Sequence, residues 1–212
     1  MSSRGPHDLV TAAERAGIRD GRLLEAIREV PRAEFVPAEW AGRAYVDEPL
    51  PIAHGQVTTQ PSLVARMVEG LGLRGSERVL EIGTGYGWQT ALLARLGGFV
   101  WSVERWPDLA AEARGRLERA GVDNAEVVVG DGTQGLAEQA PFDAILVSAA
   151  FPSVPEPFGA QLAEGGALVQ PLGRGGAEEV VLFEREGERL ERRRTLTLAH
   201  FVRLLGEHAF AQ

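Results

Sequence analysis

Between Val79 and Gly87 an apolar strand pattern runs into an acid and then into three glycines at alternate positions: Val79-Leu80-Glu81-Ile82-Gly83-Thr84-Gly85-Tyr86-Gly87. Glycine has no Cβ and adopts φ > 0 without strain, so a chain can turn sharply here and lie close to a ligand. The residues Trp88–Leu96 predict a helix directly after the turn, and its first N–H groups would face the same point. Strand, glycine turn and helix in that order begin a βαβ unit. The dinucleotide-binding spacing is Gly-x-Gly-x-x-Gly. Here the third glycine comes one residue early and an acid stands before the first.

The alternation continues from Arg78 onward. Short apolar runs predict strands at Arg78–Ile82, Phe99–Glu104, Ala125–Val129, Asp143–Val147 and Ala167–Pro171. Between them, helices are expected at Trp88–Leu96, Pro107–Ala120 and Pro155–Leu162. Such a pattern argues for an α/β fold: a doubly wound, Rossmann-like, mostly parallel sheet buried on both faces. Glu178–Glu184 and Leu190–Leu196 flank Gly187 as an antiparallel hairpin, and Ala199–Leu205 reads as a further strand. Upstream, residues 8 to 30 read as two short helices, the second capped by Asp20 and ended by Pro31. Residues 31 to 60 are proline-rich and aperiodic, an ordered loop laid over something. A helix over Ser62–Leu71 follows Pro61. The expected organisation is an N-terminal helical cap with a substrate loop (1–75) packed on a core (76–212) as one compact unit.

Charge and composition narrow the partners. A net charge of −8 argues against duplex nucleic acid, because nothing would neutralise a row of phosphates. No apolar run approaches the roughly 20 residues that span a bilayer, and no apolar signal segment opens the chain. With no cysteine there is no disulfide, thiolate metal site or cysteine nucleophile. The expectation is a cytoplasmic monomer with no metal, no membrane and no nucleic-acid partner.

In open α/β sheets ligands sit beyond the carboxyl ends of the strands. Glu104 ends one strand, where an acid can accept both hydroxyls of a ribose. Gly130-Asp131-Gly132 follows another, where the Asp131 carboxylate could accept from an adenine amino group. Ser148-Ala149-Ala150 follows a third and leaves room for a ligand. Each has a plain alternative, Glu104 as a solvated strand end and Asp131 as a turn residue or helix cap. At successive strand ends they fit one adenosine-bearing ligand.

The run Val79–Ala94, with Ser102-Val103-Glu104-Arg105 and Gly130-Asp131-Gly132, resembles the protein-L-isoaspartate O-methyltransferase family. Val30–Pro37, Leu50-Pro51-Ile52 with Gly55-Gln56, Gln60–Met67 and Ala140–Ile145 carry the same resemblance. His200–Leu204 is similar to the family's closing strand, with Arg203 where proline is usual. The resemblance spans roughly residues 8 to 208. It implies transfer of a methyl group from S-adenosylmethionine to the free carboxylate of L-isoaspartyl residues in proteins, with D-aspartyl residues as an open extension. It further implies a cofactor site of Glu81, Gly83, Thr84, Gly85, Gly87, Gln89, Glu104, Arg105, Asp131 and Gly132. The family loop Thr-Ile-Ser-Gln-Pro reads Val57-Thr58-Thr59-Gln60-Pro61 here. Thr59 falls on the serine, which implies the catalytic position, and Val57, Thr58, His54 and Gln60 fall on the substrate side. Val57 replaces a hydroxyl-bearing residue, which leaves a different carboxylate or small-molecule acceptor as the alternative. A binding protein without catalysis is a third reading, against which the complete set of glycines and acids speaks.

Overall fold

A computed structural model describes residues 4–211. Seven strands form one sheet in the order β5-β4-β3-β6-β7-β8-β9. Strands β3 (Arg78–Ile82), β4 (Phe99–Glu104), β5 (Ala125–Val129), β6 (Phe142–Val147) and β7 (Leu162–Leu172) run parallel, and β8 (Glu178–Glu186) and β9 (Arg189–Ala199) continue as an antiparallel meander. Helices α4 (Trp88–Leu96) and α5 (Pro107–Arg119) make the crossovers from β3 to β4 and from β4 to β5. The doubly wound sheet expected from the alternation is present.

Burial on both faces is visible in the side-chain period of two. Val79, Ala144, Leu146 and Val169 pack into one core with α1 (Pro6–Arg15), α2 (Gly21–Glu29), α3 (Pro61–Leu71) and α4. Their chain neighbours Leu80, Ile145 and Leu168 face the opposite core, with Trp101, Phe142 and Phe158. Adjacent residues alternate across the sheet as a pleated strand requires. Asp20 caps α2 by accepting from Arg22 N at 2.8 Å and Leu23 N at 3.3 Å.

Two stretches differ from the sequence reading. The proline-rich loop holds three 3-10 turns, Arg32–Phe35, Ala38–Arg43 and Ala53–Gly55, and a short hairpin of β1 (Leu50–Pro51) and β2 (Val57–Thr58) with the third turn at its tip. Ala199–Leu205 is not a strand. The sheet edge is already filled by β9 up to Ala199, and the chain then turns across the ends of the parallel strands. It meets the segment that follows β6 through one bridge, with Ala150 N donating to Val202 O and Leu204 N to Ala150 O, both at 2.8 Å. Helix α6 (Glu156–Gln161) also hands over to β7 earlier than expected, at Leu162.

Strands β3, β4 and β5 step one way across the sheet, whereas β6 and β7 lie on the other side of β3. The connections diverge between β3 and β6, which opens a crevice at their carboxyl ends. Among the described residues no helix is long and apolar enough to cross a membrane.

Candidate active site

The glycine turn stands at the mouth of that crevice with Gly83, Gly85 and Gly87 at φ of 95°, 55° and 90°. These left-handed values strain any residue with a Cβ. At Gly87 a Cβ would also come within 3.3 Å of the Leu117 side chain. The turn is fastened to the next strand: Gly83 N donates to Val103 O at 2.9 Å, and Gly85 N donates to Glu104 Oε2 at 2.9 Å. Glu104 Oε1 accepts from Trp106 N at 3.1 Å, so the carboxylate is held rigidly with further lone pairs free.

Beneath the turn lies Glu81, fully buried. Gln89 Nε2, Thr90 Oγ1 and Ser102 Oγ donate to its carboxyl at 2.8, 2.5 and 2.6 Å. Thr84 Oγ1 extends the network to Ser102 Oγ at 2.5 Å. Burial dominates the acidity and pushes the Glu81 carboxyl up to about 7, against the three donated hydrogen bonds and with a further push from the Glu104 charge. A folded-state value above the ordinary 4.5 means that the folded chain binds the proton more tightly, so stability falls as pH rises from 4.5 to about 7. Glu81→Gln should flatten this component. Gln89 Oε1 has no partner among the described residues, so a rotated Gln89 amide can accept from the donor that the substitution introduces. Melting temperatures of both proteins at about pH 5 and about pH 8 read the effect, since all other titrations are shared. An equal fall in both proteins would contradict it.

One cavity, enclosing about 990 Å³ with its open mouth included, adjoins the turn. Its floor is the glycine turn and the ends of β4 and β6, and the β1–β2 hairpin closes one side. The chain from Val202 to Leu205 closes another. Three buried polar atoms on residues of this wall lack a partner among the described residues: Gln89 Oε1, Arg105 Nη1 and Trp106 Nε1. Unpaired buried polar atoms are costly and rare in native folds, and here they gather where a ligand could complete them.

The family model described as Protein-L-isoaspartate(D-aspartate) O-methyltransferase (PCMT) matches residues 4–209. The chain belongs to this family. A protein-L-isoaspartate O-methyltransferase of Anaeromyxobacter dehalogenans (strain 2CP-C) is 53% identical over 89% of this chain and 91% of its own. That of Methanoculleus marisnigri (strain ATCC 35101 / DSM 1498 / JR1) is 52% identical, covering 90% of this chain and 86% of its own. A solved protein-L-isoaspartate O-methyltransferase superposes with a TM-score of 0.83 at 30% identity, over 96% of this chain and 67% of that one. A Plasmodium falciparum structure described as a putative member in complex with S-adenosyl-L-homocysteine shares the fold at a TM-score of 0.78 and 22% identity, over 95% of this chain and 99% of that one.

Of the residues that the family resemblance singled out, Gly83, Thr84, Gly85, Gly87, Gln89, Glu104, Arg105 and Gly132 line the cavity, as do Val57, Thr58 and Thr59. Four do not. Glu81 supports the turn from below. Asp131 turns its carboxylate to Thr133 N, Thr133 Oγ1 and Glu207 N at 2.9, 2.7 and 2.8 Å, pinning the C-terminal segment. Gln60 Nε2 donates to Asp47 Oδ2 at 2.9 Å and Ser62 Oγ at 3.1 Å, at the start of α3. His54 faces outward at φ 58°, stacks on Trp106 at 4.0 Å and pairs with Asp108 Oδ2 at 2.8 Å. It braces the hairpin against the start of α5.

Arg32 belongs to the wall and was not among the residues expected there. It is 1% exposed and donates to the carbonyls of Ala44, Val46 and Glu48. Burial lowers its pKa to about 10 despite Asp47 and Glu48 nearby, which leaves it charged at neutral pH. The signal available in sequence was an arginine set in the apolar run Val30-Pro31-Arg32-Ala33-Glu34-Phe35-Val36. Among the described residues no group of three acids or histidines could hold a metal.

Proposed function

We propose that this chain transfers a methyl group from S-adenosylmethionine to the free carboxylate of L-isoaspartyl residues in damaged proteins, and of D-aspartyl residues as the family description suggests. The observation that carries the reading is a single cavity joining the glycine turn and Glu104 to the hydroxyl-bearing loop Thr58-Thr59. A nucleoside end and an acceptor end meet in one crevice.

When bound, S-adenosylmethionine supplies a methyl carbon whose bond to sulfur breaks, its electron pair staying on sulfur, as the acceptor oxygen bonds to that carbon. The chain's own residues have the tasks of holding and aligning. Glu104 has lone pairs left to accept the ribose hydroxyls, and Gly83, Thr84, Gly85 and Gly87 let backbone approach the ligand. Arg105 Nη1 and Trp106 Nε1 offer donors, and Gln89 Oε1 an acceptor, for the remaining polar groups. Gly132 borders the nucleoside end, and Glu81 and Asp131 act from behind the wall. On the acceptor side we assign the hydroxyl of Thr59 to the carboxylate, with Val57 beside it and His54 and Gln60 fixing the loop that carries them. A carboxylate with an ordinary pKa near 4 is ionised at pH 7, so no general base is needed. Aligning oxygen, carbon and sulfur and excluding water are enough.

The reading includes a monomeric cytoplasmic enzyme with an acceptor-side cap (1–75) on a cofactor core (76–212), supported by a net charge of −8 and a cysteine-free chain. The test pairs two peptides that differ only in one linkage. Methyl ester should form on the isoaspartyl peptide with labelled S-adenosylmethionine and stay at background on its aspartyl twin. Equal labelling of both, or of neither, would sink the proposal.

A further inference from the structure

The hydroxyl of Thr58 has both of its accepting positions filled by donors of the chain itself. Arg32 Nη2 donates to Thr58 Oγ1 at 2.8 Å, and Leu50 N donates to it at 3.1 Å. A hydroxyl carries one proton and two accepting lone pairs, so the only capacity left to this one is to donate. Among the described residues no acceptor takes that proton, and Thr58 lines the cavity.

The charged donor is built to hold that arrangement. Arg32 is buried, and its remaining bonds to the carbonyls of Ala44, Val46 and Glu48, at 3.0, 3.2 and 3.1 Å, fix the guanidinium in place. Among the described residues no carboxylate comes within ion-pair distance of it. A hydroxyl oxygen bonded to a cation becomes a stronger donor through its own proton. The charges on the wall point the same way: Arg32, Arg105 and Arg203 stand against Glu104 alone. An anionic group in the cavity, such as the acceptor carboxylate, gains from that surplus.

We infer that Thr58 is a further acceptor-binding residue, donating its hydroxyl proton to one oxygen of the acceptor carboxylate, with Arg32 as the positioning residue that commits the hydroxyl to donation. The other carboxylate oxygen stays free to take the methyl group. The inference rests on the isoaspartyl reading above and adds a second hydroxyl beside Thr59.

Thr58→Val removes the donor with little change in shape, and Thr58→Ser restores it. Each protein, saturated with S-adenosylhomocysteine, would be titrated calorimetrically with an isoaspartyl peptide, and KM and kcat measured in parallel. Thr58→Val should weaken peptide binding about tenfold, equivalent to 1.4 kcal/mol. KM should rise in step, kcat should change less, and Thr58→Ser should recover most of the loss. Affinity for S-adenosylhomocysteine should be the same in all three. Arg32→Lys, which keeps charge but loses the planar fork, should reproduce part of the Thr58→Val effect and add little to it in the double variant. Wild-type peptide affinity in Thr58→Val overturns the inference. So does a loss of S-adenosylhomocysteine affinity in Thr58→Val that Thr58→Ser fails to restore, which would mark a purely structural role. Failure of the isoaspartyl reading itself would show in the wild-type protein alone, as neither binding nor methylation of the peptide.

Discussion

Gly83→Val should cut affinity for S-adenosylmethionine at least ~100-fold, a loss of about 3 kcal/mol, and methyl transfer with it. Gly83 sits at φ 95°, where a β-branched residue is a true outlier. An added Cβ would lie 3.4 Å from Ser148 Cβ, and the two γ-methyls of valine would reach further into the crevice between β3 and β6. Relief requires the turn to move. Movement breaks the bond from Gly83 N to Val103 O and then the hold of Gly85 N on Glu104 Oε2. The strain therefore falls on the geometry that presents Glu104. Strands β3 and β4 pair upstream of the turn, so far-ultraviolet circular dichroism should remain native in shape. Calorimetric titration with S-adenosylhomocysteine reads the affinity, and wild-type binding by the variant would refute the assignment of the turn.

The second large effect falls on stability and spares the site. Phe158→Ala should destabilise the fold by about 3–5 kcal/mol, the usual range for deleting a fully buried aromatic ring. Phe158 on α6 is 0% exposed and packs into the core beneath β6 and β7 with Leu162 and Leu168. For a chain of this length, that loss corresponds to a melting temperature roughly 6–20 °C lower. Phe158 takes no part in the cavity wall. Well below its melting point, the variant should therefore bind S-adenosylhomocysteine as the parent does. A melting point within a degree or two of the parent would mean that the helix collapses onto the sheet and fills the void.

Which parts of this molecule could be read without coordinates follows from how local their causes are. The bounds of β3, β4 and β5 match the apolar runs residue for residue, because a short run rich in valine and other β-formers, set between turn and helix signals, is a purely local pattern. The glycine turn and Glu104 were equally legible, since turn, strand end and helix start lie within one βαβ unit. Arg32 was not. Its burial depends on carbonyls at residues 44, 46 and 48, brought to it by two 3-10 turns and a hairpin that leave no periodic trace. His54 and Gln60 sit in the right loop but face away from the cavity, for reasons of backbone geometry. His54 adopts a left-handed φ within the tip of the hairpin, and Gln60 turns to the Asp47 carboxylate at the mouth of α3. Val202–Leu205 has the composition of a strand, yet β9 had already taken the sheet edge, so the segment became a wall instead.

That wall has a consequence for how the enzyme holds together. The cavity is enclosed by residues as distant in sequence as Arg32 and Leu205, so no fragment of the chain presents it alone. A ligand that contacts these segments at once binds the folded state and not the unfolded one. By mass action, a ligand present at a hundred times its dissociation constant adds about 2.7 kcal/mol to the free energy of unfolding. Substrate supply and resistance to unfolding are thereby linked, and a repair enzyme starved of its methyl donor is also one closer to needing repair.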